Sequence, residues 1–343
     1  MNIKAVAEKA RVSTATVSRT INGCATVTPK TAERVRRAIK LLGFYPDVNA
    51  RALGSGRSSL YGLIISDIVN PFFPELVKAF EDIAVQHKKE ILIANTNYDP
   101  ERMEHCVIRM LQRKVDGVAI MTSEMDDRLI EVFSRRHIPL VLLDAASPSA
   151  GVSSVGFDYF GGIAQAMSHL LSLNHRDIAF ISGPLTLASA RIRSDAFTEI
   201  SRQHHLVTDK LLVVEGNHRV DGGHKAMTQI LKSKRVPTAV VCSNDLTAIG
   251  AMTAIFEHGL RVPQDISVVG YDDIQFSAHT NPRLTTLRLP RTELANRAFH
   301  DLFDQRTMAG KQLPMGEAHI FRSELIVRES TCIARIRNSE RLS

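Results

Sequence analysis

The 343-residue sequence predicts an α/β protein in two parts: a small three-helix unit at the amino terminus and a two-lobed core of doubly wound parallel sheets. Three observations predict it. Apolar residues recur at helical spacing through residues 3–42. Between residues 60 and 330, short runs rich in Ile, Val and Leu alternate with helical stretches, the pattern of parallel strands covered on both faces. The positive charge is confined to the front. Residues 1–60 hold eleven Lys and Arg against three Asp and Glu, a net +8, while the whole chain carries +7, so the remainder sits at about −1.

In chain order, Ile3, Val6, Ala7 and Ala10 give a first helix. Ser13, after Val12, is a good N-cap for a second, in which Val17 and Ile21 point inward. Its opposite face carries Thr14, Ala15, Ser18 and Arg19. Two short helices joined by a tight turn, the second displaying hydroxyls and an arginine, describe a helix-turn-helix. Small side chains let such a helix sit deep in the major groove, and arginine can make two parallel hydrogen bonds to a guanine edge. A plain packing unit would show the same spacing. The charge distinguishes the two, because a cationic module on a neutral body is the footprint of phosphate binding. Thr28 and Pro29 open a third helix, Val35, Ala38, Ile39 and Leu42 form its buried stripe, and Gly43 stops it. Residues 44–59 then read FYPDVNARALGSGRSS. Ala50-Arg51-Ala52-Leu53 favours helix, but one or two turns inside a Gly/Ser linker are not stable alone. This segment is expected to order only against a partner, with Leu53 either an odd surface residue or an apolar wedge for a base step.

The core reads as LYGLIIS, EILIAN, GVAIM, PLVLLD, DIAFISG, LLVVEG, TAVVCS and ISVVGYD, with helices predicted at about 73–87 and 101–113. About 270 residues suit two such sheets better than one. Ligands of open parallel sheets bind beyond the carboxyl ends of the strands. Asn70-Pro71-Phe72-Phe73, Arg191 and Arg193, His218, Asn244-Asp245 and Asp272-Asp273 all fall at such ends. Aromatic faces with Arg, Asn and Asp suit a hydroxylated ligand. Asn and Asp after strands also commonly cap the next helix.

The run VAEKARVSTATVSRTING, the downstream ARAL and the later SDIVNPFF resemble the lactose-repressor and galactose-repressor family of bacterial transcription regulators, from about residue 2 to about residue 330. The resemblance implies a helix-turn-helix domain over 1–45 and a hinge helix and linker over 46–59. It implies a periplasmic-binding-protein-like core over 60–330 that binds effector and dimerises. The first lobe would take 60–158 and 290–318, the second 160–286 and 320–330, with crossovers near 157–161, 285–291 and 316–322. It further implies that Thr14, Ala15 and Arg19 face base edges and that Ser18 and Asn22 meet bases or phosphates. Ser13, Thr16 and Thr31 join the DNA-contacting set, with Ser13, Thr31 and the helix N-termini on phosphates. Leu53 would enter the minor groove, and Ala50 would let two hinge helices approach closely. Phe72, Phe73, Arg193, Asn244, Asp272 and His218 would contact the effector. The partners so implied are double-stranded DNA with a palindromic operator, a sugar, sugar derivative or nucleoside, and a second copy of the chain.

Two positions depart from the family pattern. Phe157 precedes Asp158 where members often have Asp-Asn, so Phe157 forms either an apolar wall of the cleft or crossover packing. Asp47 stands near the hinge where many members are neutral. The tail, 331–343, is short, polar and basic, lacks leucine heptads and is expected to be disordered. Cys24, Cys106, Cys242 and Cys332 are too scattered for a zinc site or a disulfide framework, which suits a reducing cytoplasm. No cofactor, metal site, signal peptide or membrane-spanning run is expected. Gly54-x-Gly56 precedes a strand and lacks the third glycine of a dinucleotide fingerprint. Two other readings share this core: an exported solute-binding or sensor module, and a sugar- or nucleoside-processing enzyme using Asp272 and His218. Neither explains a basic helix-turn-helix.

Overall fold

The computed structural model describes residues 2–45, 57–122, 125–144, 147–206, 213–233, 235–308 and 313–335. The hinge readings for Asp47, Ala50 and Leu53 lie outside the described residues. The chain divides into two compact units, 1–59 and 60–343.

In the first unit, α1 (Ile3–Ala10), α2 (Thr14–Ile21) and α3 (Pro29–Leu42) follow from their caps. Asn2 caps α1 by accepting the Ala5 N–H at 3.1 Å, and Arg11, left-handed at φ 52°, ends it. Ser13 Oγ accepts the Thr16 N–H at 3.2 Å and starts α2 in a new direction. Thr28 caps α3, and Gly43 at φ 56° closes it in the left-handed region. Val6, Ala7, Ala10, Val17, Val35 and Ala38 meet in one small core, with Ile21, Ile39 and Leu42 packed around it. Thr20 shares the inner face of α2. Its hydroxyl donates to the Thr16 carbonyl at 2.8 Å, so burial leaves no polar group unpaired.

The second unit is built on two six-stranded sheets. The first contains β1 (Leu60–Ile65), β2 (Glu90–Asn95), β3 (Gly117–Met121), β4 (Leu140–Leu143), β5 (Val152–Phe157) and β11 (Ala318–Phe321). Its order is β11-β5-β4-β3-β1-β2, parallel throughout. The second holds β6 (Ile178–Ser182), β7 (Val213–Glu215), β8 (Ala239–Cys242), β9 (Ser267–Asp272), β10 (Thr285–Arg288) and β12 (Glu324–Ile326). Its order is β12-β10-β9-β8-β6-β7, with β12 alone antiparallel. Helices α4 (Phe72–Gln86), α5 (Pro100–Gln112), α6 (Asp127–Ser134) and α11 (Arg291–Met308) accompany the first sheet. Helices α7 (Tyr159–Ser172), α8 (Ala188–Gln203), α9 (Val220–Leu231) and α10 (Asp245–Glu257) accompany the second.

The chain crosses between lobes three times: after Phe157, after Arg288 and after Phe321. The expected lobe limits of 286 and 318 cut two strands short. Ladder pairing carries β10 to Arg288 opposite Asp272, and β11 to Phe321 opposite Phe157. The expected disorder of the tail is corrected for residues 331–335, which dock on the second lobe. The Cys332 N–H donates to Ser267 Oγ at 3.1 Å, its carbonyl meets His175 Nε2 at 2.9 Å, and the Ala334 N–H donates to the Leu173 carbonyl at 2.8 Å. Among the described residues the four cysteines are unpaired, no helix is long and apolar enough to cross a membrane, and no metal-holding cluster occurs.

Helices α9 and α10 touch backbone to backbone. A Cβ on Gly250 would lie 2.0 Å from the Val220 carbonyl oxygen, and one on Gly223 would lie 2.1 Å from that of Thr247. Alanine normally favours a helix interior by about 1 kcal/mol over glycine. Here the clash is with backbone that cannot rotate away, so the steric cost wins. Gly250→Ala is predicted to destabilise the core by about 1–3 kcal/mol. Thermal unfolding checks this; an unchanged or raised Tm would contradict the close contact.

Candidate functional site

On α2, Thr14, Ala15, Ser18 and Arg19 are exposed on the face opposite Val17 and Thr20, with Asn22 exposed at its C-cap. The other three residues of the expected DNA-contacting set within the described part have partners in the caps. The Ser13 and Thr16 hydroxyls lie 3.0 Å apart, and Thr31 accepts a hydrogen bond from the Thr28 hydroxyl at 3.0 Å. Thr16 and Thr31 are half-buried, so they hold helix starts rather than stand open on the surface. Lys30, Arg34, Arg36, Arg37 and Lys40 are exposed along α3 and extend the cationic surface.

In the core, the strand ends of the two lobes enclose a cavity of about 70 Å³. All seven residues expected at the effector site line it: Phe72, Phe73, Phe157, Arg193, His218, Asn244 and Asp272. The phenyl rings come from the first lobe. Phe72 packs edge-on to Phe73 at 5.1 Å and to Phe157 at 6.4 Å, so Phe157 is both cleft wall and crossover packing. The polar groups come from the second. Arg193, on α8, lies between the rings of Tyr159 (5.0 Å) and Tyr271 (5.2 Å). Its Nε donates to the Ser189 carbonyl and its Nη1 to that of Ser243, at 3.1 and 2.9 Å. Its Nη2 has no hydrogen bond among the described residues. Asn244 caps α10 through the Thr247 N–H and donates Nδ2 to the His218 carbonyl, both at 2.9 Å. It lines the cleft, but its amide is largely spent on local structure.

Asp272 is buried at the end of β9, with φ 112°. Its backbone carbonyl accepts from Arg291, yet its carboxylate has no hydrogen bond among the described residues. Asp245 holds the turn beyond it. That carboxylate accepts from the Ile274 N–H at 2.8 Å, from Ser277 Oγ at 2.6 Å and from Thr286 Oγ1. Sequence reasoning overlooked Asp144 and Tyr159. Asp144 closes the PLVLLD run, so the same strand-end rule would have found it; Tyr159 donates to it at 2.7 Å. Arg191 stays outside, bonded to the carbonyls of Leu185 and Thr186. Asp273 pairs with Arg288 and Arg328. Across the cleft mouth, Arg219 Nη2 of the second lobe reaches Asp67 at 3.0 Å and Asn97 at 2.8 Å in the first. The Gln275 N–H likewise meets Glu75 at 3.3 Å.

A family model described as bacterial regulatory proteins, lacI family, matches residues 2–47, and one described as periplasmic binding protein-like domain matches 167–331. The HTH-type transcriptional repressor PurR of Klebsiella pneumoniae (strain 342) is 35% identical over 305 residues, covering 88% of this chain and 89% of that protein. PurR of Erwinia tasmaniensis is 36% identical over 307 residues, covering 89% and 90%. The chain belongs to the lacI family of bacterial regulatory proteins. A crystal structure of the lac repressor dimer bound to operator and the anti-inducer ONPF superposes with a TM-score of 0.84 at 29% identity, covering 97% of this chain and 99% of that one. The transcriptional regulator CelR in complex with cellobiose gives 0.71 at 28%, covering 96% and 99%.

In this lacI-family chain, burial dominates the electrostatics of the cleft. Burial, then the neighbouring Arg193 charge, pushes the His218 imidazole down to about 3. Burial holds the Asp272 carboxyl well above the ordinary carboxylate range, reinforced by Asp245. Asp245 itself is pushed up to about 7, mainly by burial, against the pull of its hydrogen bonds. For His218, the unfolded ring takes up a proton near 6.5 and the folded ring does not. Stability from this group is therefore present above about 6.5 and falls as pH drops towards 3. Histidine NMR checks this. The His218 ring is expected to stay neutral from pH 8 to pH 5, and a ring titrating near 6.5 would refute the burial argument.

Proposed function

We propose that this lacI-family regulator binds a palindromic operator as a homodimer, represses transcription, and is controlled by a hydroxylated small molecule held between its lobes. One helix-turn-helix reads one half-site, so a two-fold dimer matches a palindrome. Support for the DNA role comes from the exposed Thr14, Ala15, Ser18, Arg19 and Asn22 on a unit carrying the chain's excess positive charge. In this reading Ser13, Thr16 and Thr31 fix the helix starts whose free N–H groups meet phosphates. Ala50 and Leu53 complete the proposed DNA-contacting set.

The observation that carries the effector reading is the buried Asp272 carboxylate, unbonded among the described residues, in the same cavity as Arg193 Nη2. A buried carboxyl group without a partner costs free energy that hydrogen bonds to a ligand hydroxyl recover. The phenyl rings of Phe72, Phe73 and Phe157 supply apolar faces for a sugar, sugar derivative or nucleoside, and the relatives solved with ONPF and cellobiose support that class. Lobe closure on the ligand changes the lobe angle and hence the spacing of the paired hinges, which couples the two sites. The chain works in the cytoplasm, where DNA is, and performs no catalysis. The cleft places His218 in a neutral, buried position against Ser243 and not in an acid–base pair.

Asp272→Asn is predicted to weaken effector binding roughly 10-fold, the loss of a hydrogen bond to a buried carboxyl group worth about 1–1.5 kcal/mol, while operator affinity without effector stays unchanged. Calorimetry with a sugar and nucleoside panel, beside operator mobility shifts, reads both. Equal loss of both would reject the assignment. Arg19→Ala is predicted to relax preference at one operator position by about 1–3 kcal/mol. An unaltered base profile in a half-site substitution series would rule that role out.

A further inference from the structure

Helix α3 carries a charged face that base reading by α2 does not use. Its inner residues Val35 and Ala38 pack on the small core with Val6, Ala7 and Ala10 of α1 and Val17 of α2. Three helices around one core turn their outer faces in different directions, so the outer face of α3 points away from the groove that α2 enters. That face carries Arg34, Arg36, Arg37 and Lys40, all exposed, and Glu33 is the only acid in the helix. Arg34 Nη2 reaches the Arg11 carbonyl at 3.5 Å. Arg36, Arg37 and Lys40 have no hydrogen bond or ion pair among the described residues, and Glu33 forms no ion pair there.

The arrangement is unfavourable for a helix left alone in water. Arg34 and Arg37, Arg36 and Lys40, and Arg37 and Lys40 stand three or four residues apart, where side chains are neighbours and like charges repel. Lys30 stands in the first turn, which holds no acid and where the helix dipole disfavours a cation. Helix preference does not require these residues, since glutamate or glutamine would serve the same exposed positions about as well. An anion from outside relieves the repulsion, and the spacing sets its kind. Arg34 to Lys40 covers about 9 Å of helix, over which one strand of duplex DNA carries about three phosphates. A small anion meets one or two of these side chains, whereas a phosphate backbone meets all four. We propose that the outer face of α3 is a second DNA surface, which grips the phosphate backbone of a duplex segment other than the half-site read by α2, without reading its bases. This rests on the reading of the first unit as a DNA-binding domain. A dimer seated on its operator then carries two such grips for DNA beyond the operator.

The test loads the full-length protein to saturation on an immobilised duplex that it has itself enriched from a random pool, then adds a labelled duplex of scrambled sequence. The wild type is expected to capture the labelled duplex, with a log–log salt slope of about −3. The Arg36→Gln/Arg37→Gln/Lys40→Gln variant is expected to load with the same base preference, while capture falls roughly tenfold or more and its salt slope approaches zero. Arg36→Lys/Arg37→Lys keeps the charge and is expected to keep capture, which separates charge from damage to the fold. Should the triple variant not load, Arg37→Gln alone carries the comparison, with a slope smaller by about one. Capture by spare α2 helices would survive the glutamine substitutions, so undiminished capture overturns the proposal. So do a changed base preference in the glutamine variant, stronger capture of an RNA stem than of the duplex, and loading of the wild type without capture. A wild type that fails to load overturns the reading of the first unit as well, so the loading step tells the two failures apart.

Discussion

Asp245 is fully buried, and its carboxylate is the anchor from which the ligand side of the second lobe is built. Its oxygens collect one backbone N–H and two hydroxyls from the turn after β9 and from β10. It fits because Gly270 has no side chain: a Cβ there would lie 2.2 Å from Asp245 Oδ1. The same bonds hold Asp272 and Asp273 in left-handed backbone conformations, at φ 112° and 54°. Non-glycine residues reach that region only where the surroundings over-determine it. The outcome is a carboxylate presented to the cleft while its own backbone is locked behind it.

That presentation sets a conflict that the two lobes share. Buried charges are stable only when paired and hydrogen-bonded. Arg193 meets the requirement through carbonyls and aromatic faces, and Asp273 through Arg288 and Arg328. Asp272 does not: its carboxyl group has no hydrogen bond among the described residues. The contacts closing the mouth are of a different kind. Arg219 keeps 43% of its side chain exposed while Asp67 keeps 3%. A pair with one exposed partner is worth roughly 1 kcal/mol or less once solvent screening is included. Such clasps bias closure without fixing it, which leaves ligand contacts able to decide the lobe angle.

The strongest readings from sequence were those with local causes. Ser13, Thr28, Pro29 and Gly43 mark helix ends by capping chemistry, which depends on a few neighbouring residues. The cleft residues were legible because a parallel sheet sends its strand ends to one edge, so Arg193, His218, Asn244 and Asp272 had to gather once the strands were recognised. Strands β5, β10, β11 and β12 were not marked by apolar runs. Of these, β5 and β10 carry buried Ser153, Ser154, Thr285 and Thr286, and distant partners answer their polarity: Ser153 Oγ accepts from Gln305 Nε2 at 2.7 Å, and the Thr285 N–H donates to Ser330 Oγ at 2.8 Å. Residues 331–335 were misread for the same reason. Their polarity is answered by His175 and Ser267, more than sixty positions away.

Sequence by itself determined the element order, the basic front, the family and the residues that strand ends deliver to the cleft, because each depends on periodicity, capping or net charge within a short window. Tertiary structure alone decided which polar groups are spent and which are left over. Asn244 is consumed by its helix and the His218 carbonyl, Thr16 and Thr31 by their caps, and the Asp272 carboxylate by no described residue. Hydrogen-bond satisfaction is a property of all the neighbours a group acquires on folding, and no window of sequence contains them.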